Sequence, residues 1–95
     1  MPCSISITNL SSGMKIGTTF QLEFDYSNDK PSNCPVTAMC TLAPPSKTSV
    51  PKGSGSSSVM IYHDSGDDQP HTLTISMSYQ GQQVAADTVS DFFVE

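Results

Sequence analysis

Residues 16 to 26 constrain this chain more than any other stretch. Ile16, Thr18, Phe20, Leu22, Phe24 and Tyr26 recur at every second position, with Lys15, Thr19, Gln21, Glu23 and Asp25 between them. A period of two puts alternate side chains on opposite faces of an extended chain. The stretch therefore predicts a half-buried strand, even-numbered face inward and odd-numbered face in water. Helix-building residues are scarce: Leu and Ala number four each and Glu two in 95 residues. An all-helical bundle is excluded on that count.

The same alternation recurs along the chain. Ile5 and Ile7 mark a short first strand, and Ser11-Ser12-Gly13 a turn. Ser27 to Pro35 is rich in turn residues, followed by a strand through Val36, Ala38, Cys40 and Leu42. Ala43 to Ser58 carries Pro44-Pro45, Pro51 and Gly53-Ser54-Gly55, which reads as a flexible loop with at most a short edge strand near Thr48 to Val50. Val59, Ile61 and His63 alternate next, and Asp64 to Asp68 turns the chain. His71, Leu73, Ile75, Met77 and Tyr79 share one face, and Gln80-Gly81-Gln82 reads as a hairpin turn. Val84 and Ala86 begin the last strand, while Val89, Phe92 and Val94 end it. That slip of phase predicts a bulge near Asp87-Thr88.

The expected fold is all-β: a single domain over residues 1–95, built as a two-sheet antiparallel β-sandwich of about seven strands. Its core is expected to hold Ile5, Ile7, Phe20, Leu22, Phe24, Val36, Ala38, Leu42, Val59, Ile61, Leu73, Ile75, Met77, Val84, Phe92 and Val94.

The stretch Ile5 to Gly13 followed by Gly17 to Phe24 resembles the first strand, turn and second strand of immunoglobulin-like modules. Leu73 to Tyr79, the Gln80-Gly81-Gln82 turn and Val84 to Val94 resemble their closing hairpin. The likeness spans most of the chain and rests on pattern. The sequence departs from antibody-type domains: it has no Trp, and the two strands that carry the usual inter-sheet disulfide have no Cys. The resemblance implies a module of a secreted or cell-surface protein.

In that topology the first and third strands run the same way, so Cys3 and Cys34 fall at one end. Cys34 and Cys40 are about 20 Å apart if their strand is extended. A curled 34–39 segment would instead allow a Cys34–Cys40 loop. The preferred pairing is a Cys3–Cys34 disulfide, with Cys40 a small buried hydrophobe. Three free thiols would point to a reducing compartment.

Charge narrows the partners. Four Lys and no Arg stand against nine Asp and Glu, a formal charge of −5. No basic stripe is available to neutralise a nucleic-acid backbone. No apolar run approaches a membrane-spanning length, so no membrane insertion is expected. The N-terminus Met1-Pro2-Cys3-Ser4 lacks the features of a leader. The Ser/Thr-rich loops and the Asn9-Leu10-Ser11 sequon nevertheless suit an extracellular module whose leader is absent from this chain.

Several residue sets are candidate sites. Asp64, Asp67 and Asp68, with Asp25 or Asp29 as helpers, offer oxygen ligands for Ca²⁺, although the spacing is not that of an EF-hand loop. Tyr26, Tyr62 and Tyr79 offer flat faces for a carbohydrate. His63 and His71 flank one turn and would meet if their strands are neighbours, a minority copper or zinc reading with Met60 and Met77 nearby. Asp64-Ser65-Gly66 resembles the short Asp-Ser/Thr-Gly signature of aspartic proteases. Here, though, His63 precedes it and Asp67-Asp68 follows, so the triplet reads as a polar turn. No Gly-x-Ser-x-Gly elbow supports a serine hydrolase.

The expected function is a non-enzymatic structural or protein-interaction module with no resident cofactor. Its partner is an unspecified protein or glycan. The alternatives are a carbohydrate- or Ca²⁺-binding module and, more remotely, a small aspartic-protease-like enzyme.

Overall fold

A computed structural model describes residues 3–41, 43–64, 66 and 68–95. Leu42 and Asp67, expected in the core and in the acidic turn, lie outside the described residues. The described residues are all-β and form eight strands: β1 (Ser4–Ile7), β2 (Lys15–Ile16), β3 (Thr19–Asn28), β4 (Cys34–Cys40), β5 (Ser46–Val50), β6 (Gly53–Tyr62), β7 (His71–Tyr79) and β8 (Gln82–Val94). They form a three-stranded sheet in the order β1-β3-β6 and a five-stranded sheet in the order β2-β8-β7-β4-β5. Pairing is antiparallel except between β2 and β8, which run parallel. No helix among the described residues is long and apolar enough to cross a membrane.

The long alternating run folds in the expected phase. In β3, Leu22 and Phe24 are fully buried, Phe20 and Tyr26 are half-buried, and Thr19, Gln21, Glu23 and Asp25 are exposed. The odd face of β7 (His71, Leu73, Ile75 and Met77) is buried in the same way. The two inner faces close over one core that also recruits Leu10, Ile16, Cys34 and Val50.

The Gly53–Ser58 segment is a strand, not the expected flexible loop. It pairs along β3 from Ser58 opposite Glu23 to Gly53 opposite Asn28. An edge strand needs only one neighbour, so weak intrinsic propensity is tolerated there. The serines add cross-strand bonds: Ser56 Oγ donates to Asp25 Oδ1 (2.6 Å), Ser54 Oγ to Ser27 Oγ (3.2 Å), and Ser58 Oγ accepts from Gln21 Nε2 (3.1 Å). Gly55 lies directly opposite Tyr26, whose ring covers it; a Cβ there would sit 3.1 Å from the tyrosine oxygen. An aromatic lying over a cross-strand glycine restores the packing that glycine lacks.

The bulges of β8 also differ from expectation. The register of β7 against β8 shifts between His71 and Thr72 and between Met77 and Ser78, so Asp91 and Val84 are the extra residues. Asp91 takes a left-handed backbone (φ 59°). The inward face runs through Ala85, Asp87 and Val89, because Asp87 has a partner there: its Oδ2 accepts from the Ile7 N–H at 2.8 Å. A carboxylate on the inner face thus joins β1 of one sheet to β8 of the other. On the opposite side Ser46 Oγ donates to Met60 O at 2.6 Å, joining β5 to β6.

The expected Cys3–Cys34 disulfide is overturned: all three cysteines are free. Cys3 and Cys34 do lie at the same end. Cys34 points into the core, fully buried, and its Sγ donates to Asn28 Oδ1 (3.3 Å). Cys3 Sγ turns to the rim and donates to Asp29 Oδ1 (3.0 Å).

Candidate functional site

Three inward positions meet at the end of the molecule opposite Cys3. Cys40 is the last residue of β4, in the inward phase of Cys34, Val36 and Ala38. His63 directly follows β6 and continues the inward phase of Val59 and Ile61; its N–H donates to Thr18 O at 2.7 Å, extending the β3–β6 ladder by one pair. His71 opens β7 in the phase of Leu73 and Ile75. Alternation on three strands of two facing sheets therefore brings one thiol and two imidazoles together.

The cluster is tight. One ligand atom from each of Cys40, His63 and His71 lies within 4.8 Å of the other two. Cys40 Sγ and His63 Nε2 are 3.3 Å apart. The two imidazoles meet edge to face, with centroids 5.3 Å apart at 81°, and the His71 ring packs on Phe92 (5.8 Å). His63 is 8% and His71 2% exposed. Burial pushes the Cys40 thiol up to about 11, against a smaller lowering by the Thr41 backbone, so it is a neutral thiol near pH 7.

His71 is held by the backbone behind it. Its Nδ1 lies 3.1 Å from Thr41 O. A carbonyl only accepts, so Nδ1 is the donor in this contact. Thr41 is itself fixed: its N–H donates to Thr72 O (3.1 Å), and its Oγ1 accepts from Thr72 N (3.2 Å). A half-buried thiol beside two buried imidazoles is a soft, nitrogen-rich donor set.

The other sequence candidates are spread over the surface. Asp64 and Asp68 are exposed in the turn after β6, while Asp67 is outside the described residues. Asp25 and Asp29 lie toward the other end, engaged by Ser56 and Cys3, so they do not join that turn. Tyr62 is 53% exposed and pairs with Thr19, seven residues and roughly 24 Å along β3 from Tyr26. Tyr79 lies on the five-stranded sheet with the Lys30 Nζ 5.7 Å above its ring. The three tyrosines share no platform. Asn9 of the sequon uses its side chain as a strand surrogate: Nδ2 donates to Gln21 O and Oδ1 accepts from Glu23 N, both at 2.9 Å. An open hollow lined by Gln21, Glu23 and Ser56 to Ser58 lies on the outer face of the three-stranded sheet.

Sequence reasoning found the His63–His71 pair but read Cys40 as a plain hydrophobe. The sequence carried half the signal, since Cys40 shares the inward phase of Val36; that it lies level with the histidines follows from the β4–β7 pairing. No protein-family model matches this chain, and no curated protein sequence matches it either.

Proposed function

We propose that this chain is a non-enzymatic, immunoglobulin-like β-sandwich module that spaces or presents its neighbours in a secreted or surface protein. The observation that carries the reading is the placement of its first and last strands. β1 starts at Ser4, level with Ser27 and Ser54, whereas β8 ends at Val94 beside Ile16 at the opposite end. The long axis is 42 Å, against 20 and 17 Å across. Any chain continuing from β1 and β8 would leave in opposite directions, the geometry of a spacer in a string of domains.

The strand order supports the immunoglobulin-like part. Strands one, three and six share a sheet that faces strands eight, seven, four and five. This grouping corresponds to the ABE and GFC strands of such sandwiches with two added strands, β2 beside β8 and β5 beside β4. The surface-protein part rests on the Ser/Thr-rich outer faces alone; the three free cysteines count against it, since free thiols favour a reducing compartment.

Small-angle scattering on a tandem of three copies tests the spacer reading. The maximum dimension should grow by close to 42 Å with each added copy. A compact three-lobed particle of unchanged length would overturn it. Fractionation of the native cell tests the location, and recovery of the chain solely from the cytosol would overturn that part.

A further inference from the structure

We propose that Cys40, His63 and His71 bind one thiophilic metal ion, Zn²⁺ or Cu⁺, which cross-links the two sheets. The donor chemistry selects the class. Thiolate favours Cu⁺ and Zn²⁺, imidazole suits both, and neither group is a good ligand for Ca²⁺ or Mg²⁺. The carboxylates offered for Ca²⁺ supply only oxygen, a different donor class.

The geometry is close to what binding requires. Around an ion with bonds of about 2.3 Å to sulfur and 2.0–2.1 Å to nitrogen, S···N separations are about 3.5–3.8 Å. Cys40 Sγ and His63 Nε2 are already 3.3 Å apart, and the whole set spans no more than 4.8 Å. Small χ rotations close the remainder. The contact from His71 Nδ1 to Thr41 O is the outer-shell bond that metal-bound histidines characteristically make, and it orients the ring with Nε2 as the donor.

Binding replaces the Cys40 S–H bond with a sulfur–metal bond and releases the proton to solvent. No electron is transferred, because the ion enters as Zn²⁺ or Cu⁺ and stays so. Cys40 and His71 belong to the five-stranded sheet, whereas His63 continues the three-stranded one. The ion would therefore close this end of the sandwich as the Ser46–Met60 and Asp87–Ile7 bonds close its sides.

The test uses the full chain, reduced and metal-free, titrated with Zn²⁺, with Co²⁺ as a coloured substitute, and separately with Cu⁺ against a chromophoric Cu⁺ chelator under reductant. The expected result is saturation at one equivalent. Co²⁺ should give a thiolate charge-transfer band, and Cys40 should be protected from alkylation. At about a hundredfold excess over Kd, the melting temperature should rise by about 10 °C or more. The near-isosteric Cys40→Ser should weaken binding by at least about 100-fold, as should His63→Gln, while Cys3→Ser leaves it unchanged. The ion that wins in competition identifies the resident metal. Failure of both ions to saturate the unmodified protein, or undiminished binding by Cys40→Ser, overturns the proposal without reference to whether any variant folds.

Discussion

Replacing Asn28 with alanine should be among the most damaging single changes in this chain. Asn28 is 1% exposed at the end of β3, and its amide ties three segments together. Nδ2 donates to Ser32 O (3.1 Å) and Val50 O (3.2 Å), while Oδ1 accepts from Lys30 N (2.9 Å) and Cys34 Sγ (3.3 Å). Ser32 and Lys30 lie at the rim, where water replaces the lost partner. Val50 is fully buried, so its carbonyl is left without that substitute. An orphaned buried acceptor costs about 1–3 kcal/mol, and each ordinary bond contributes about 0.5–1.5 kcal/mol. Counting Val50 at the upper value and the rim bonds at the lower, Asn28→Ala should cost about 3–4 kcal/mol. For a domain of this size that lowers the melting temperature by about 15–25 °C. Equilibrium unfolding in guanidinium measures it, with the midpoint moving and the slope unchanged. Asn28→Asp should be at least as costly at neutral pH, because it aims a carboxylate at two carbonyls. Burial and those carbonyls would raise the folded pKa of the new group, so the deficit should shrink as pH falls through that value. A cost below about 1 kcal/mol for Asn28→Ala would show that the network carries little stability.

Other changes probe separate features. Gly55→Val places methyl groups against the Tyr26 ring and should cost about 1–2 kcal/mol in urea unfolding; the same change beside Tyr26→Ala should cost less, a coupling read from the double-mutant cycle. Asp87→Ala removes the acceptor of the Ile7 N–H and should cost about 1–3 kcal/mol, with hydrogen exchange at Ile7 rising selectively and Asp87→Asn restoring most of the loss. Asp91→Val forces a β-branched residue into left-handed backbone and should lose about 1–2 kcal/mol, whereas Asp91→Gly should stay within about 0.5 kcal/mol. Alkylation should count three thiols after denaturation, with Cys3 the first to react in the native protein and Cys34 reacting only on unfolding. A native protein showing one reactive thiol and two locked in a bridge would contradict the free-cysteine structure.

Period-two patterning was legible wherever large apolar residues carried it, which is why β3 and β7 fell in the right phase. It failed where polar residues occupy strand positions for reasons outside the strand. Asp87 faces inward because the β1 backbone needs an acceptor, so the phase slip at 86–89 pointed to the wrong bulge. The 53–58 run read as a loop because its stability comes from serine bonds to β3 and the Tyr26 ring, neither of which is local in sequence. The cysteines were misjudged because strand topology places Cys3 and Cys34 at one end but does not say which way their sulfurs point. Of the cluster, the histidine pair was visible as neighbours in sequence around one turn. Cys40 required knowing that β4 and β7 pair, with Cys40 opposite Leu73.

The short parallel pairing of β2 with β8 has a mechanical meaning. Tension applied through β1 and β8 would draw Ser4 and Val94 apart along the long axis. The link between the two halves of that load path is a patch at one end: Gly13 N to Asp91 O, Phe93 N to Met14 O and Glu95 N to Ile16 O, each 2.8 Å. These bonds run across the line of pull, so a stretching force shears them together instead of unzipping them in turn. The Asp87 carboxylate on Ile7 lies on the same path. Held in this way, the domain would resist stretching up to a threshold and then give way abruptly, a property set by where its ends emerge more than by how stable it is.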